Sequence, residues 1–383
     1  MNKTIKIILI LVLTLQAPLH SVSANEKIKI GLLVPLTGEN SQIGKSIINS
    51  TQLAINKINS DLIEIIPKDT ASDINITLES AKELASLGIK IIIGPVFNKN
   101  LEYLNELEGV TFLSFTNKND NSSNNIINAG INATSQLKAI KKFIELNEIK
   151  KTIFLTPDVD YKKEIEIGIS KSKIKITKNY LYNTTPTKLT RQIEKITNYK
   201  RRKQNLEDEI VRLEKSDDND KEILIERLKK KDTLGGVNFD SLIIADFDES
   251  LKSVTTSLLY TDISPKKKYF ITLNQWFDSS LLNEKSSQPL YFPSINKTNY
   301  ENFSSEYFEK FNHYPNQLSF LSFDLVGLVY YLILQNNSTV DDRIFTKKNL
   351  FKGKVGIFEI KDNKINHILN FYKIENKEFK KIF

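Results

Sequence analysis

The chain has 383 residues, with 54 Lys and Arg against 46 Asp and Glu, three His and no Cys. At 40% hydrophobic and 26% charged it is an ordinary globular chain, neither disordered nor fibrous, and long enough for two or three domains of roughly 100–200 residues each. The missing Cys excludes disulfides, thiolate zinc sites, iron–sulfur clusters and Cys nucleophiles.

The chain opens with an export pattern. Lys3 and Lys6 are followed by an apolar run from Ile7 to Leu15, and Val22-Ser23-Ala24 supplies small residues for cleavage after Ala24. The run is shorter than the ~20 residues a spanning helix needs, and no Cys follows it to carry a lipid anchor. Farther on, Phe320 to Leu334 comes nearest to a membrane span but is limited by Asp324 and Gln335, so the mature chain is expected to be soluble, periplasmic and without stable membrane insertion. With His20 removed, His313 and His367 are too few for a multi-His metal site or a His-driven hydrolase. Only six basic residues are Arg (191, 201, 202, 212, 227 and 343) and the Lys are spread along the chain. Readers of bases and phosphates favour the planar Arg fork, so no nucleic-acid partner is expected.

From Lys27 a regular alternation begins. Ile28 to Val34 reads as a strand; Ser41 to Asn59 follows as a helix with Ile43, Ile47, Thr51, Ile55 and Ile58 on one stripe and Ser41 as its N-cap. Leu62 to Ile66 is a strand, Asn75 to Leu87 a helix closed by Gly88, and Ile89 to Ile93 a strand of nearly pure Ile, as suits a parallel strand buried on both faces. Leu101 to Leu107 reads as a short helix and Val110 to Phe115 as a strand. This βαβαβαβ order implies a parallel sheet covered by helices on both sides.

The alternation then restarts. Helices are expected at Ser135 to Asn147, Tyr161 to Ser172, Thr187 onward and Ser250 to Tyr260, with strands at Lys151 to Leu155, Ile174 to Tyr182, Ser241 to Ala245 and Lys268 to Leu273. Two further helices, Tyr300 to Phe311 and Gln317 to Gln335, precede strand-like runs at Lys354 to Ile360 and Ile365 to Tyr372, separated by Asp362-Asn363. One segment breaks the rhythm. Residues 200–232 hold 11 basic and 10 acidic residues; Leu206, Ile210 and Leu213 recur at helical spacing, an acidic run interrupts, Ile223, Leu224 and Leu228 resume, and Gly235-Gly236 ends the stretch. This is a charged helical hairpin standing off a lobe, either a solvated elaboration or a docking arm for a protein partner.

The expected architecture is α/β, with two doubly wound parallel-sheet lobes and a helical insertion at 187–232. Residues 1–24 form the export segment, 25–133 the first part of lobe 1 and 134–266 lobe 2. Residues 267–335 return to lobe 1, and 336–383 supply strands completing lobe 2.

No glycine-rich phosphate loop, H-E-x-x-H or G-x-S-x-G is present, so neither a cofactor, a metal nor a catalytic residue is expected. Candidate binding residues come instead from loops at the C-terminal ends of strands, where open α/β sheets place ligands. These are Thr37 in Pro35-Leu36-Thr37-Gly38, Gly94 and Pro95 in Gly94-Pro95-Val96-Phe97, and Ser114, Phe115 and Thr116 before Asn117. From the second half come Tyr161, after Thr156-Pro157-Asp158, and Asp246, whose carboxylate could pair with a ligand amine or serve the start of a helix.

The run IKIGLLVPLTGENSQIGKSIINSTQLAIN from Ile28 resembles the opening of the type 1 periplasmic solute-binding fold, the leucine-binding-protein class. Pro35 to Gly38, Asp69-Thr70, Ile93 to Val96, Ser114 to Asn117, and Thr156-Pro157-Asp158 with Tyr161 resemble the penicillin-binding protein activator family. The charged insert from Tyr199 followed by Asp232-Thr233-Leu234-Gly235 resembles its shorter, alphaproteobacterial type, and Leu273 to Trp276 fits as well. The resemblance spans about residues 27–335. It implies a non-enzymatic periplasmic protein that touches a penicillin-binding protein or, alternatively, a receptor that delivers an amino acid or similar small polar ligand to importer membrane subunits.

Overall fold

The computed structural model describes residues 27–118, 123–354 and 356–383; the expected export segment lies outside them. The first half builds β1 (Ile28–Val34), α1 (Ser41–Ile58), β2 (Ile63–Asp69), α2 (Ile74–Ser86), β3 (Ile91–Ile93), β4 (Thr111–Ser114) and β5 (Ile126–Asn128). The five strands form one parallel sheet in the order β2-β1-β3-β4-β5. The Ile91–Ile93 triplet is buried between β1 and β4, which is why it carries no polar alternation. α1 turns Ile47, Leu53 and Ala54 inward. Its N-cap position is Asn40 rather than Ser41, and no side chain caps it. α2 is capped instead by Asp73, whose Oδ1 accepts from the N–H groups of Asn75 and Ile76 at 2.8 and 3.0 Å. The expected helix at 101–107 is two single 3₁₀ turns, Asn98–Leu101 and Leu104–Glu106.

The second half runs through α3 (Ala133–Leu146), β6 (Thr152–Pro157), α4 (Lys162–Ser172), β7 (Lys178–Tyr182), α5 (Pro186–Ile196), α6 (Tyr199–Glu214), α7 (Lys221–Lys229), β8 (Ser241–Ile244), α8 (Asp248–Tyr260), β9 (Tyr269–Thr272) and β10 (Leu290–Ser294). After it come α9 (Lys297–Phe311), α10 (Gln317–Gln335), β11 (Asn349–Lys352), β12 (Ile357–Lys361), β13 (Lys364–Ile368), β14 (Asn370–Glu375) and β15 (Glu378–Lys381). The second sheet has the order β15-β14-β10-β9-β8-β6-β7, parallel except where β14 and β15 add antiparallel to its edge. β11, β12 and β13 form a small antiparallel sheet of their own.

Three expectations are corrected. Residues 267–295, expected to return to the first lobe, stay in the second, because β9 pairs with β8 and β10 with β9. The return begins with α9 and α10. These dock on α1 through buried hydroxyls: Ser46 Oγ lies 2.7 Å from Ser319 Oγ, and Thr51 Oγ1 2.8 Å from Ser322 Oγ. The stretch Ile365 to Tyr372 is not one strand. It alternates buried and partly exposed residues through Leu369, as a single strand would, yet β13 joins the small sheet while β14 joins the large one. The insertion is also shorter than 187–232. α5 is a lobe helix that buries Leu189 and Ile193, and Thr190 Oγ1 meets Ser257 Oγ of α8 at 3.1 Å.

The hairpin proper is α6 and α7, closed on a small core of Leu206, Leu213 and Leu228. Arg202 roots it: its guanidinium donates to the carbonyls of Thr197 and Thr261 and to Thr233 Oγ1, and it is 5% exposed. α10, at 19 residues, is long and apolar enough to cross a membrane, contrary to the sequence reading. In this fold it is a core helix, with Phe320, Leu325, Val326 and Val329 buried against the first sheet and α1.

Candidate functional site

The C-terminal ends of the two sheets face one another across a cleft, and the loops that leave them form its walls. Two glycines let the backbones approach. Gly94 has φ +111°, and a Cβ there would lie 2.2 Å from the Leu33 carbonyl oxygen. Gly130, in the crossing from β5 to α3, donates its N–H to the Thr116 carbonyl at 3.0 Å; a Cβ would lie 2.6 Å from that same oxygen. The β4 loop is thereby pressed onto the crossing strand.

Between the lobes lies a cavity of 430 Å³, within the range of about 300–1,000 Å³ usual for small-molecule sites. From the first lobe Phe97, Phe115, Thr116 and Lys118 line it, with Leu318 and Leu321 of α10. From the second come Gln136 of α3, Phe247, Asn274 and Trp276. The second wall is braced by side-chain bonds. Gln136 donates to the Ile131 carbonyl at 3.3 Å and accepts from the Asn274 N–H at 2.9 Å. Asn274 Oδ1 accepts from the Trp276 N–H at 3.0 Å and from Ser294 Oγ at 2.8 Å. Trp276 and Phe277 both have left-handed backbones, φ +48° and +59°, a conformation bulky residues rarely adopt. Lys118 reaches across the cleft to Glu164 of α4, with Nζ 3.5 Å from Oε1.

Of the residues singled out from sequence, Phe115 and Thr116 line the cavity. Gly94, Pro95 and Ser114 stand behind them: Ser114 Oγ donates to the Pro95 carbonyl at 3.2 Å and accepts from the Thr116 N–H at 3.2 Å. Thr37 is outside the cavity. Its Oγ1 donates to Asp69 Oδ2 at 2.5 Å, and Asp69 Oδ1 accepts from the N–H groups of Leu36, Thr37 and Ala71. Partial burial pushes the Asp69 carboxyl up, but the Thr37 hydroxyl and these N–H groups together outweigh it and hold it below the usual carboxylate range.

Tyr161 and Asp246 are also absent from the lining. Asp246, 4% exposed, accepts from Tyr182 Oη at 2.5 Å, Ser250 Oγ at 2.7 Å, the Phe247 N–H at 3.0 Å and Tyr161 Oη at 3.4 Å. Burial first, and then the charge of Asp246, raises both phenols well above their ordinary range, so both stay protonated donors. The carboxylate offered as a partner for a ligand amine is consumed inside the lobe. Its contribution to the cleft is indirect: together with the Ala245 carbonyl, 3.1 Å from Tyr161 Oη, it holds Tyr161, whose ring meets Phe247 edge-on at 6.2 Å. The residues the sequence reading passed over are Gln136, Phe247, Asn274 and the ring of Trp276. The signal for Asn274 and Trp276 was available, since they follow β9 at the same sheet end as the loops already chosen.

A family profile described as periplasmic binding protein matches residues 27–200. No curated protein matches the chain by sequence. Among solved structures, the C-domain of LpoA from Haemophilus influenzae, a regulator of PBP1A, is similar at a TM-score of 0.63 and 14% identity, over 93% of this chain and 100% of that one. Against full-length LpoA of the same organism the TM-score is 0.61 at 13% identity; 94% of this chain is covered, and it spans 59% of that protein. A leucine-binding protein from Thermotoga maritima is similar at a TM-score of 0.56 and 15% identity, over 93% of this chain and 98% of that one. The fold is the two-lobed type 1 periplasmic-binding fold, shared with leucine-binding proteins and with the LpoA C-domain.

Proposed function

We propose that this chain, built on the type 1 periplasmic-binding fold, is an exported, non-enzymatic regulator of peptidoglycan synthesis that docks on a penicillin-binding protein. The observation that carries the reading is that Asp246 and Glu164 are already engaged by the protein itself. Asp246 meets four protein donors and Glu164 is paired to Lys118, so the cleft offers a ligand amine no uncommitted partner among these groups. The likeness to the LpoA C-domain supports the same reading, as does the rooted α6–α7 arm, which exposes Val211 and Ile223 beyond its own small core. The lobes serve as a scaffold that presents the arm.

Capture of a purified penicillin-binding synthase by the immobilised mature chain tests this. Capture is expected for the full chain and lost when residues 207–229 are replaced by Gly-Ser-Gly, a cut outside the Arg202 root. Undiminished capture by the trimmed chain discards the arm, and no capture by either discards the regulator.

A second reading, a solute receptor for an importer, is favoured by the 430 Å³ cavity and by Trp276, held over it in a left-handed conformation. Thr116, Gln136 and Asn274 would then grip a small polar ligand. An amino-acid panel read by thermal shift separates the two. A true ligand at a hundred times its dissociation constant stabilises the fold by about 2.7 kcal/mol, whereas a scaffold shows no shift.

A further inference from the structure

The 430 Å³ cavity between the lobes is walled by rings, Phe97 and Phe115 from the first lobe and Phe247 and Trp276 from the second. Its charges are answered by the protein. Among the described residues no acidic side chain lines it, and the ammonium of Lys118 is paired to Glu164 at 3.5 Å. An amino-acid zwitterion would strip water from both its ends and meet no uncommitted counter-charge. What remains for a ligand is neutral, and it is of one kind. Asn274 is 4% exposed, and its Oδ1 accepts from the Trp276 N–H at 3.0 Å and from Ser294 Oγ at 2.8 Å. A backbone N–H can only donate, so the orientation of this amide is fixed, and its Nδ2 is the end without an acceptor among the described residues. Thr116 is 7% exposed; its Oγ1 accepts from the Lys118 N–H at 3.4 Å, and its hydroxyl proton meets no acceptor among the described residues. Asn98, Asn117 and Gln317 also border the cavity, but they are exposed and water can serve them. Two buried neutral donors, one on each lobe, thus stand among four aromatic rings.

We propose that the cleft takes an uncharged ligand with a flat apolar body and a carbonyl group, of which an aromatic amide is the simplest member, in place of an amino-acid zwitterion. The rings bury the body and stack on it. Asn274 Nδ2 and Thr116 Oγ supply the donors that a carbonyl oxygen needs once it leaves water. Because one donor belongs to each lobe, the ligand joins the lobes when both are used. This ligand class rests on the second reading, in which a solute enters the cleft, and narrows the solute; it is independent of what the arm docks on.

Trp276 is the single Trp of the chain, so its fluorescence reports on the cleft directly. The test is titration of the mature chain with four compounds that share a phenyl ring and differ in the head: hydrocinnamamide, hydrocinnamate, phenethylamine and L-phenylalanine. A saturable response to the amide is expected, at least about tenfold tighter than to the three charged compounds. Thr116→Val removes a neutral donor at nearly constant volume and should weaken the amide about two- to tenfold. Asn274→Asp keeps the oxygen that the Trp276 N–H and Ser294 need but turns the donor into a charged acceptor, so it should lose the amide and gain phenethylamine. Melting curves check that both variants fold; should Asn274→Asp fail to, Thr116→Val decides the donor assignment. Equal or tighter binding of any charged compound overturns the ligand class while leaving the receptor reading standing. No saturable response to any of the four overturns both. Unchanged affinity for the amide in the folded variants overturns the role of the two donors.

Discussion

The two rims of the cleft each carry an aspartate at the end of a strand, Asp69 as the last residue of β2 and Asp246 just after β8, and the two are put to different use. Asp69 sits near solvent and gathers three backbone N–H groups and one hydroxyl from its own neighbourhood and the adjacent β1 loop. Asp246 is buried and gathers two phenols and a serine hydroxyl drawn from three different elements, besides one backbone N–H. The first fixes a loop; the second holds β7, β8, α4 and α8 in one arrangement. A carboxylate at a strand end is thus a fastening before it is a ligand contact, and burial decides how much of the lobe depends on it.

The sharpest way to break that comparison is Asp246→Ala. It strands the hydroxyls of Tyr182 and Ser250 in the lobe interior, each left without its acceptor, and a loss of about 3 kcal/mol is expected by chemical denaturation. Tyr182→Phe in the same background should then cost almost nothing more, because its hydroxyl has lost its purpose. A loss below about 1 kcal/mol, with altered ligand binding instead, would return Asp246 to the cleft.

Next in size is the pH response of the joint between the lobes. His367 of β13 is wholly buried; its Nε2–H donates to the Ala129 carbonyl at 2.8 Å, and its backbone N–H donates to Ser135 Oγ at 3.0 Å. Burial lowers its pKa from 6.5 to about 4. Between those values the unfolded chain binds a proton that the folded one refuses, so stability falls as pH drops through the window and levels off near the lower value. The loss is on the order of 3 kcal/mol at full extent. His367→Gln keeps a donor for Ala129 and should flatten the curve between pH 6.5 and 4. An unchanged slope would move the acid sensitivity elsewhere.

The root of the arm comes third. Arg202→Ala removes three bonds from a buried guanidinium and leaves Thr233 with Asp262 as its partner, at 2.6 Å. A loss of about 2 kcal/mol is expected, with the arm made protease-sensitive while the lobes stay folded. Cleavage within 199–230 at wild-type rates would show that the arm holds without its root.

The alternation of strands and helices was legible because each element is long enough to display its period: the pure-Ile run of β3 and the stripe on α1 read directly. β10 was not, because Pro289 and Pro293 break the apolar pattern, although Pro293 sits opposite Phe371 in the antiparallel β10–β14 pair, beyond the Leu290–Tyr291 stretch that pairs with β9. β5 is three residues long, too short to show a period. The division of Ile365 to Tyr372 between two sheets leaves its alternation intact, so no local signal marks it. The site divided in the same way. Phe115 and Thr116 follow from the rule that ligands meet strand ends. The engagement of Asp246 depends on Tyr182, 64 residues away, and that pairing exists only once β6, β7 and β8 align.

The smallest expected effect belongs to the exposed rim. Thr37→Ala removes the hydroxyl that donates to Asp69 Oδ2 while the N–H groups of Leu36, Thr37 and Ala71 remain, and a loss of about 0.5 kcal/mol is expected. The same change lets the Asp69 carboxyl rise toward its ordinary value, since the hydroxyl is the foremost of the contacts that lower it. A carboxyl held low in the folded state contributes stability above its unfolded pKa and loses it as pH falls through the folded value. The variant therefore loses that contribution at higher pH than the wild type does, below the window in which His367 acts. Carbon-detected titration of Asp69 in both proteins reads the shift directly. If Thr37→Ala were instead to cost as much as Asp246→Ala, the exposed rim would be as much a keystone as the buried one, and the contrast between the two aspartates would lose its basis in burial.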